Sequence, residues 1–360
     1  MKIVFFIQDF SRGHGSERVT ALISSYLAEY GYEVAIISVC GTNKSFYEIS
    51  KKVQLYTLMD KAEVDNKKEL IHVIREYKKA LLNIRPQIVI DVFAAMSVYT
   101  NAVKKKLGIH NITWEHYNFY NNLGTYKVSR WLAIHKSDLL ITLTNTDLQT
   151  YKKHYPQLNI KFIYNPSPFE NEILDMKKKE RIVIAVGRLT AIKGYSHLID
   201  VWSIVEPQAP DWKLMIVGEG EERQKLEEKI KRFKLRNIVL PGQTKCIQDI
   251  YKKASILVAT SDMEGLPMNM IEAQSFGIPI VSYDFYTGPR DIINNGIDGY
   301  IVNSGNQSEK DILMAKKILE LINNDELRDG MMIRAMESSK RFKMQRIGRE
   351  WISIIEGLRS

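Results

Sequence analysis

The sequence predicts an α/β chain built as two doubly wound parallel-sheet domains, and three observations carry that expectation. With 360 residues and 45% hydrophobic content, the chain is long enough to bury two cores of ordinary size. Short apolar runs alternate with longer amphipathic stretches, the pattern of strands joined by crossover helices. The alternation breaks once, at Asn165-Pro166-Ser167-Pro168 and the charged stretch that follows, which reads as a linker. The expected division is a first domain over 1–165, a linker over 166–180, a second domain over 181–342 and a closing helix over 343–360.

Lys2–Ile7 reads as a buried strand, and Gly13-His14-Gly15-Ser16-Glu17 then opens a helix. Ser16 is placed at its N-cap and Glu17 in its first turn, where an acid is favourable. Val19, Leu22, Ile23, Tyr26 and Tyr30 recur at helical spacing until Gly31, and residues 33–39 form the next strand. Arg18 stands where a G-x-G-x-x-G fingerprint needs its third glycine, so a dehydrogenase is disfavoured. Residues 67–84 form an amphipathic helix, with Leu70, Ile74, Tyr77, Leu81 and Ile84 on one face and lysines opposite. Such a helix usually packs on its sheet, although its basic face is also a candidate for membrane contact. Further strands are expected over 87–92, 112–114, 139–143 and 160–164. Glu115 and His116 follow the second of these, where a strand end delivers side chains to a ligand crevice. A lone histidine there is more often structural than functional.

In the second domain, strands are expected over 181–186, 213–217, 237–240, 255–259, 278–282 and 299–302. Helices are expected from about 194, over 221–233, near 246–254, over 267–276, and in three segments from about 309 to 358. The last carries Ile347, Trp351, Ile354 and Ile355 at helical spacing. Residues 255–288 are the stretch the others serve. A loop over 260–266 carries Glu264, Pro267 suits the first helical position, and Gly277 suits the position after the helix. A helix start at the carboxyl edge of a sheet offers free N–H groups and a positive dipole end, a ready phosphate site. Glu264 and Glu272 bracket that start and could accept hydroxyls of a nucleotide sugar on either side of its diphosphate. They read equally as a cap-region acid and a solvated helix residue. Arg188 and Lys193 lie just past the strand over 181–186, facing the same edge, where they could neutralise a departing diphosphate.

The formal charge of +9 is uneven: residues 1–170 hold 22 Lys and Arg against 15 Asp and Glu, and the rest hold 29 against 27. A basic first domain suggests an anionic partner, either a membrane surface or a phosphate-bearing acceptor. Nucleic acid is disfavoured, because no binding module is present and the basic clusters alternate with acids. No apolar run approaches the ~18 residues of a membrane span, and the N-terminus lacks the pattern of a signal peptide. Cys40 and Cys246 are far apart without metal-ligand spacing, which suits a reducing cytosol. The expected location is therefore cytoplasmic.

The Glu-x7-Glu spacing inside EGLPMNMIEAQSFGIPIV resembles the donor-site motif of the retaining GT-B glycosyltransferases of family 4. Upstream, AVGRLTAIKG over 185–194 looks like the G-R-L-x3-K-G segment of that family, in the expected order. The resemblance covers nearly all of 181–302 and, more loosely, the whole chain. It implies the GT-B fold, two Rossmann-like domains facing a cleft, with the last helix returning to the first domain. It also implies retaining transfer of a hexose or N-acetylhexosamine from a nucleotide-diphosphate sugar, UDP being favoured. The acceptor would be a saccharide or a polyprenyl-diphosphate-linked saccharide in surface polysaccharide or glycan biosynthesis, with possible peripheral contact at the inner membrane face.

By this resemblance Gly13 and Gly15 face the diphosphate, Arg188 and Lys193 clamp it, and Gly265, Leu266 and Pro267 present the helix start. Glu264 orients the donor sugar, Glu272 binds the ribose, and His116 lies near the transferred sugar. No covalent nucleophile is assigned. No cofactor beyond the nucleotide sugar is expected. No Asp-x-Asp pair occurs in the chain, so metal independence is expected as well. The alternative is a nucleotide-sugar epimerase of the same fold acting on free donor. A noncatalytic binding protein would typically have lost Arg188, Lys193 or one of the two glutamates, and all four are present.

Overall fold

The computed structural model describes residues 1–65, 69–121 and 124–358. They form two compact units, Met1–Pro168 with Phe342–Ser360, and Phe169–Arg341.

The first unit is a seven-stranded sheet of β1 (Lys2–Ile7), β2 (Glu33–Ser38), β3 (Gln54–Thr57), β4 (Ile88–Val92), β5 (His110–Trp114), β6 (Leu139–Thr142) and β7 (Ile160–Phe162). The strands are parallel, in the order β3-β2-β1-β4-β5-β6-β7. Between them run α1 (Gly15–Tyr30), α2 (Leu70–Ile84), α3 (Ala94–Leu107), α4 (Tyr126–Lys136) and α5 (Asn145–His154). Runs such as IVFFI over 3–7 are apolar throughout because helices cover both faces of such a sheet. Phe6 of β1 stacks on Tyr77 of α2 at 3.9 Å and meets Tyr99 of α3 edge-on at 5.7 Å.

The helix expected over 67–84 is observed as Leu70–Ile84, its first residues lying outside the described ones. Of the expected stripe it buries Tyr77 and Leu81, with Leu70, Ile74 and Ile84 partly buried against the same core, and it buries Val73 in addition. The edge strand β3 was not anticipated: QLYT is partly exposed and carries no apolar run.

Asp91 places a carboxyl in the centre of this sheet. Asp91 of β4 is fully buried, accepts from Thr100 Oγ1 at 2.5 Å and from Asn111 Nδ2 at 3.1 Å, and burial raises its pKa from 3.8 to about 7. A folded pKa above the unfolded value means that the stabilising contribution is complete below about pH 4. It is lost as pH rises through 7. The stability difference between wild type and Asp91→Asn should therefore move by roughly 3–4 kcal/mol between pH 4 and 8, read by urea unfolding. A pH-independent difference would mean that Asp91 is charged in the fold.

The second unit is a six-stranded parallel sheet of β8 (Ile182–Val186), β9 (Lys213–Val217), β10 (Ile238–Gly242), β11 (Ile256–Ala259), β12 (Ile280–Tyr283) and β13 (Gly299–Val302), ordered β10-β9-β8-β11-β12-β13. Its helices are α6 (Tyr195–Val205), α7 (Arg223–Phe233), α8 (Ile247–Lys253), α9 (Met268–Ser275), α10 (Pro289–Ile292), α11 (Gln307–Asn323) and α12 (Asp325–Ser339). Leu198, Trp202, Leu214, Ile216, Val258 and Ile318 lie at the centre of its core.

The final helix, α13 (Met344–Gly357), belongs to the first unit. It packs on α1 at Gly348, where a Cβ would come within 2.1 Å of the Tyr26 ring, and Trp351 meets Trp114 edge-on at 5.0 Å.

Each sheet reverses its winding once, between β1 and β4 and between β8 and β11. Such a reversal splays the following loops apart at the carboxyl edge and leaves a crevice for a ligand.

Candidate active site

In the second unit the reversal is flanked by the loop from β8 to α6 and the loop from β11 to α9. The first carries Arg188 and Lys193, the second Glu264. Backbone contacts tie the loops together: Asp262 N donates to the Ile192 carbonyl at 2.9 Å, and Thr260 Oγ1 donates to the Lys193 carbonyl at 3.0 Å. Gly194 makes that approach possible, since its φ is +64° and a Cβ would lie 2.1 Å from the Thr260 carbonyl oxygen. This explains the Lys-Gly pair physically. The result is an ion pair across the reversal, with Lys193 Nζ 2.5 Å from Glu264 Oε1. The same oxygen accepts from Ser261 Oγ at 2.9 Å, and Thr287 Oγ1 donates to the Glu264 carbonyl at 2.5 Å.

Pro267 occupies the cap of α9 rather than its first helical position, which corrects the expected boundary by one residue. Its ψ of 99° is extended, and Met268 begins the helix. Gly265 and Leu266 lead into that start, Leu266 being buried. Asn269 anchors it: Nδ2 donates to the Val186 carbonyl at 2.8 Å, while Oδ1 is buried with no partner among the described residues. Glu272 is not a solvated helix residue. It is buried, and its Oε2 accepts from Tyr251 Oη of α8 at 2.9 Å. Arg188 is exposed in its loop.

Sequence reading missed Ser261, Asn269, Thr287 and Tyr195. Tyr195 lies beside Gly187, where a Cβ would be 2.8 Å from its hydroxyl, and burial together with the Glu264 carboxylate keeps that phenol protonated. Only their positions in the two loops and the adjoining helix starts could have signalled them.

In the first unit, Gly13 and Gly15 lie in the approach to α1. Neither has a left-handed backbone, and a methyl on Gly15 would meet nothing within 4 Å. A methyl on Gly13 would come within 2.9 Å of the Phe46 ring, whereas Gly15 is not required by the fold and leaves the backbone bare at the helix start. Gly15→Ala should therefore leave stability unchanged or raise it by up to ~1 kcal/mol. If a diphosphate approaches that backbone, the same change should raise the KM for donor about tenfold, whereas an unaltered KM would remove Gly15 from the site. Ser16 is not the cap as expected. The cap is His14, whose side chain makes no capping hydrogen bond to the first turn, because the helix begins at Gly15, and Ser16 Oγ donates instead to Glu17 at 3.0 Å. Glu17 is buried, and burial pushes its pKa up.

His116 follows β5, its ring 4.8 Å from Phe93 and 4.4 Å from Trp114. Burial pulls its pKa down to about 3, so the imidazole is neutral, and its buried Nε2 has no partner among the described residues. A buried polar atom left open in this way calls for a ligand group. Phe93, at the end of β4 on the reversal, has φ +77° and ψ 149°, a strained backbone for a bulky residue. Glu115 is excluded as a site acid. It is 1% exposed and held by Arg130 Nε at 3.3 Å, Tyr126 Oη at 2.6 Å and Tyr117 N at 3.0 Å.

Among the described residues, one group offers three metal-type ligands close together: His197, Asp200 and Asp311. It belongs to the packing of α6 on α11, and Lys229 Nζ already neutralises Asp200 at 2.6 Å.

Two doubly wound parallel-sheet units have the architecture of the GT-B class. The family of glycosyl transferases group 1 matches residues 167–337. An uncharacterized glycosyltransferase of Haemophilus influenzae is 30% identical over 358 residues, 98% of this chain and 99% of its own length. The chain belongs to the group 1 glycosyltransferases. A relative from Campylobacter jejuni, 28% identical over 366 residues (99% of this chain and 98% of its own), is the GalNAc-alpha-(1->4)-GalNAc-alpha-(1->3)-diNAcBac-PP-undecaprenol alpha-1,4-N-acetyl-D-galactosaminyltransferase. The fold matches that of HepE from Anabaena, solved in complex with UDP, with a TM-score of 0.81 over 99% of this chain and 100% of that one at 16% identity. No helix among the described residues is long and apolar enough to cross a membrane.

Proposed function

We propose that the protein transfers a hexose or N-acetylhexosamine from a UDP-sugar, with retention at the anomeric carbon, to a saccharide carried on a polyprenyl diphosphate. The product would be a surface polysaccharide or related glycan, assembled at the cytoplasmic face of the membrane. The observation that carries this reading is the Lys193–Glu264 pair, built by the two loops of a reversal whose next element is a helix start. The Campylobacter relative, named for an undecaprenol-diphosphate-linked acceptor, and the UDP complex of HepE support the acceptor and the donor.

In this reading Arg188, Lys193 and the backbone N–H groups leading into α9 hold the diphosphate, assisted by the bare backbone at Gly13 and Gly15. Glu272 takes the ribose hydroxyls, steadied by Tyr251, and Glu264 orients the sugar while holding the Lys193 ammonium. His116, being neutral, acts as a hydrogen-bonding group for the sugar and not as a nucleophile or a charge. The bond from the anomeric carbon to the diphosphate oxygen breaks, the acceptor oxygen attacks from the same face, and its proton passes to the departing phosphate. Two fixed cations take the place of a metal ion, so no metal and no cofactor other than the donor take part.

The test is calorimetric titration of a nucleotide-sugar panel in the presence of chelator, repeated on Glu272→Ala and Lys193→Ala. One UDP-sugar should bind, and both variants should lose at least about tenfold in affinity. Absence of binding across the panel, or unchanged variants, would overturn the donor site. Turnover of free donor without acceptor would indicate epimerisation instead.

A further inference from the structure

From Val92 to Ser137 the chain contains one acid, Glu115, and that acid is buried against Arg130. Among the described residues, the one carboxylate at the junction of α3 and α4 is Asp138, just past this segment, and it pairs with Lys104 Nζ at 3.2 Å, so the remaining lysines of the two helices stand without a carboxylate partner. Lys105, Lys106, Lys127 and Lys136 are exposed, and none has an acid within ion-pair distance among the described residues. The two helices form one surface: they pack on each other, and Lys104 Nζ donates to the Lys136 carbonyl at 2.5 Å, setting the lysine ends side by side. On the exposed side of α4, together with Lys127, Val128 is 63% exposed and Trp131 is 51% exposed, one helical turn apart.

The basic helix α2 is different. Glu76 pairs with Lys79 at 2.9 Å and with Arg75 at 3.3 Å, so much of its charge is spent internally. Unpaired lysines around an exposed tryptophan and valine fit the headgroup region of an anionic bilayer: the cations meet phosphate while the indole sits at the boundary with the acyl chains. We propose that α3 and α4 form the face by which this protein docks on an anionic lipid surface, with Trp131 inserted at the interface.

The protein carries its own reporter. Of its five tryptophans, Trp114, Trp202, Trp212 and Trp351 are buried, which leaves Trp131 to sense lipid. The full chain is mixed with phosphatidylcholine vesicles with and without phosphatidylglycerol, using acyl chains brominated near the headgroup. Sedimentation should be at least about tenfold stronger with the anionic lipid, with emission quenched there and not in Trp131→Phe. Each lysine carries about fivefold in binding. Lys105→Glu/Lys106→Glu/Lys136→Glu should therefore lose well over tenfold at unchanged circular dichroism, while Lys78→Glu/Lys79→Glu keeps most binding. Binding without quenching, equal binding to neutral vesicles, no binding, or a larger loss in the α2 variant would each overturn the proposal. No donor enters the experiment, so its failure leaves the transferase reading intact.

Discussion

Lys193→Ala and Glu264→Gln should each lower kcat/KM for sugar transfer by about 10²–10³-fold, and the double variant should be little worse than either alone. The reason is the 2.5 Å contact between them. In the proposed reaction the carboxylate fixes an ammonium that would meet the negative charge growing as the diphosphate leaves, and an ammonium without its holder would spend part of its interaction energy on finding that position. Removing a preorganised charge–dipole partner of this kind costs about 3–4 kcal/mol in the transition state. Both side chains retain some contact with water, 19% and 16% exposed, so melting temperatures should move by only a few degrees. Steady-state kinetics on the two single variants and the double variant decide the matter. Multiplicative losses would mean that the residues act separately, and near-normal rates would remove the pair from the chemistry.

Glu115→Ala should destabilise the first unit by about 3–5 kcal/mol in urea unfolding, the size expected when one member of a buried ion pair is removed. Arg130 and Glu115 have side chains 3% and 0% exposed, and Arg130 NH1 also donates to the Phe119 carbonyl at 2.6 Å. Without the glutamate, a guanidinium is left uncompensated where water cannot reach it, and Tyr126 Oη loses its acceptor. Glu115→Leu/Arg130→Met should recover much of the loss, because the pair then leaves together. A loss of less than about 1 kcal/mol in Glu115→Ala would show that water reaches the guanidinium, and the pair would then count as a surface contact.

Strand positions were legible wherever both faces are covered. Lys2–Ile7 and Lys213–Val217 match their expected bounds because apolar runs between polar flanks are what a buried parallel strand requires. Gln54–Thr57 escaped because it is partly exposed and carries no such run. At the site, the Lys-Gly pair and Glu264 were visible as motifs, since a glycine forced by close backbone approach leaves a fixed mark. The surroundings of Glu272 and Glu115 were not visible. Tyr251 and Arg130 reach them from 21 and 15 residues away, through packing that no local pattern encodes. Phe93 gave no warning either, because its strained backbone belongs to the turn and not to the residue type.

The placement of α13 has a consequence for how the chain is made. Trp351 completes a core that begins with Trp114, and Gly348 seats on Tyr26. On the ribosome, the residues that finish the first unit emerge only after all of Phe169–Arg341. The second unit is contiguous and can close as soon as it leaves the exit tunnel, whereas the first must hold an uncovered apolar patch on α1 and β5 through the synthesis of its neighbour. The order of synthesis and the order of completion are thus reversed, and the nascent first unit is the part of this protein that most needs a chaperone.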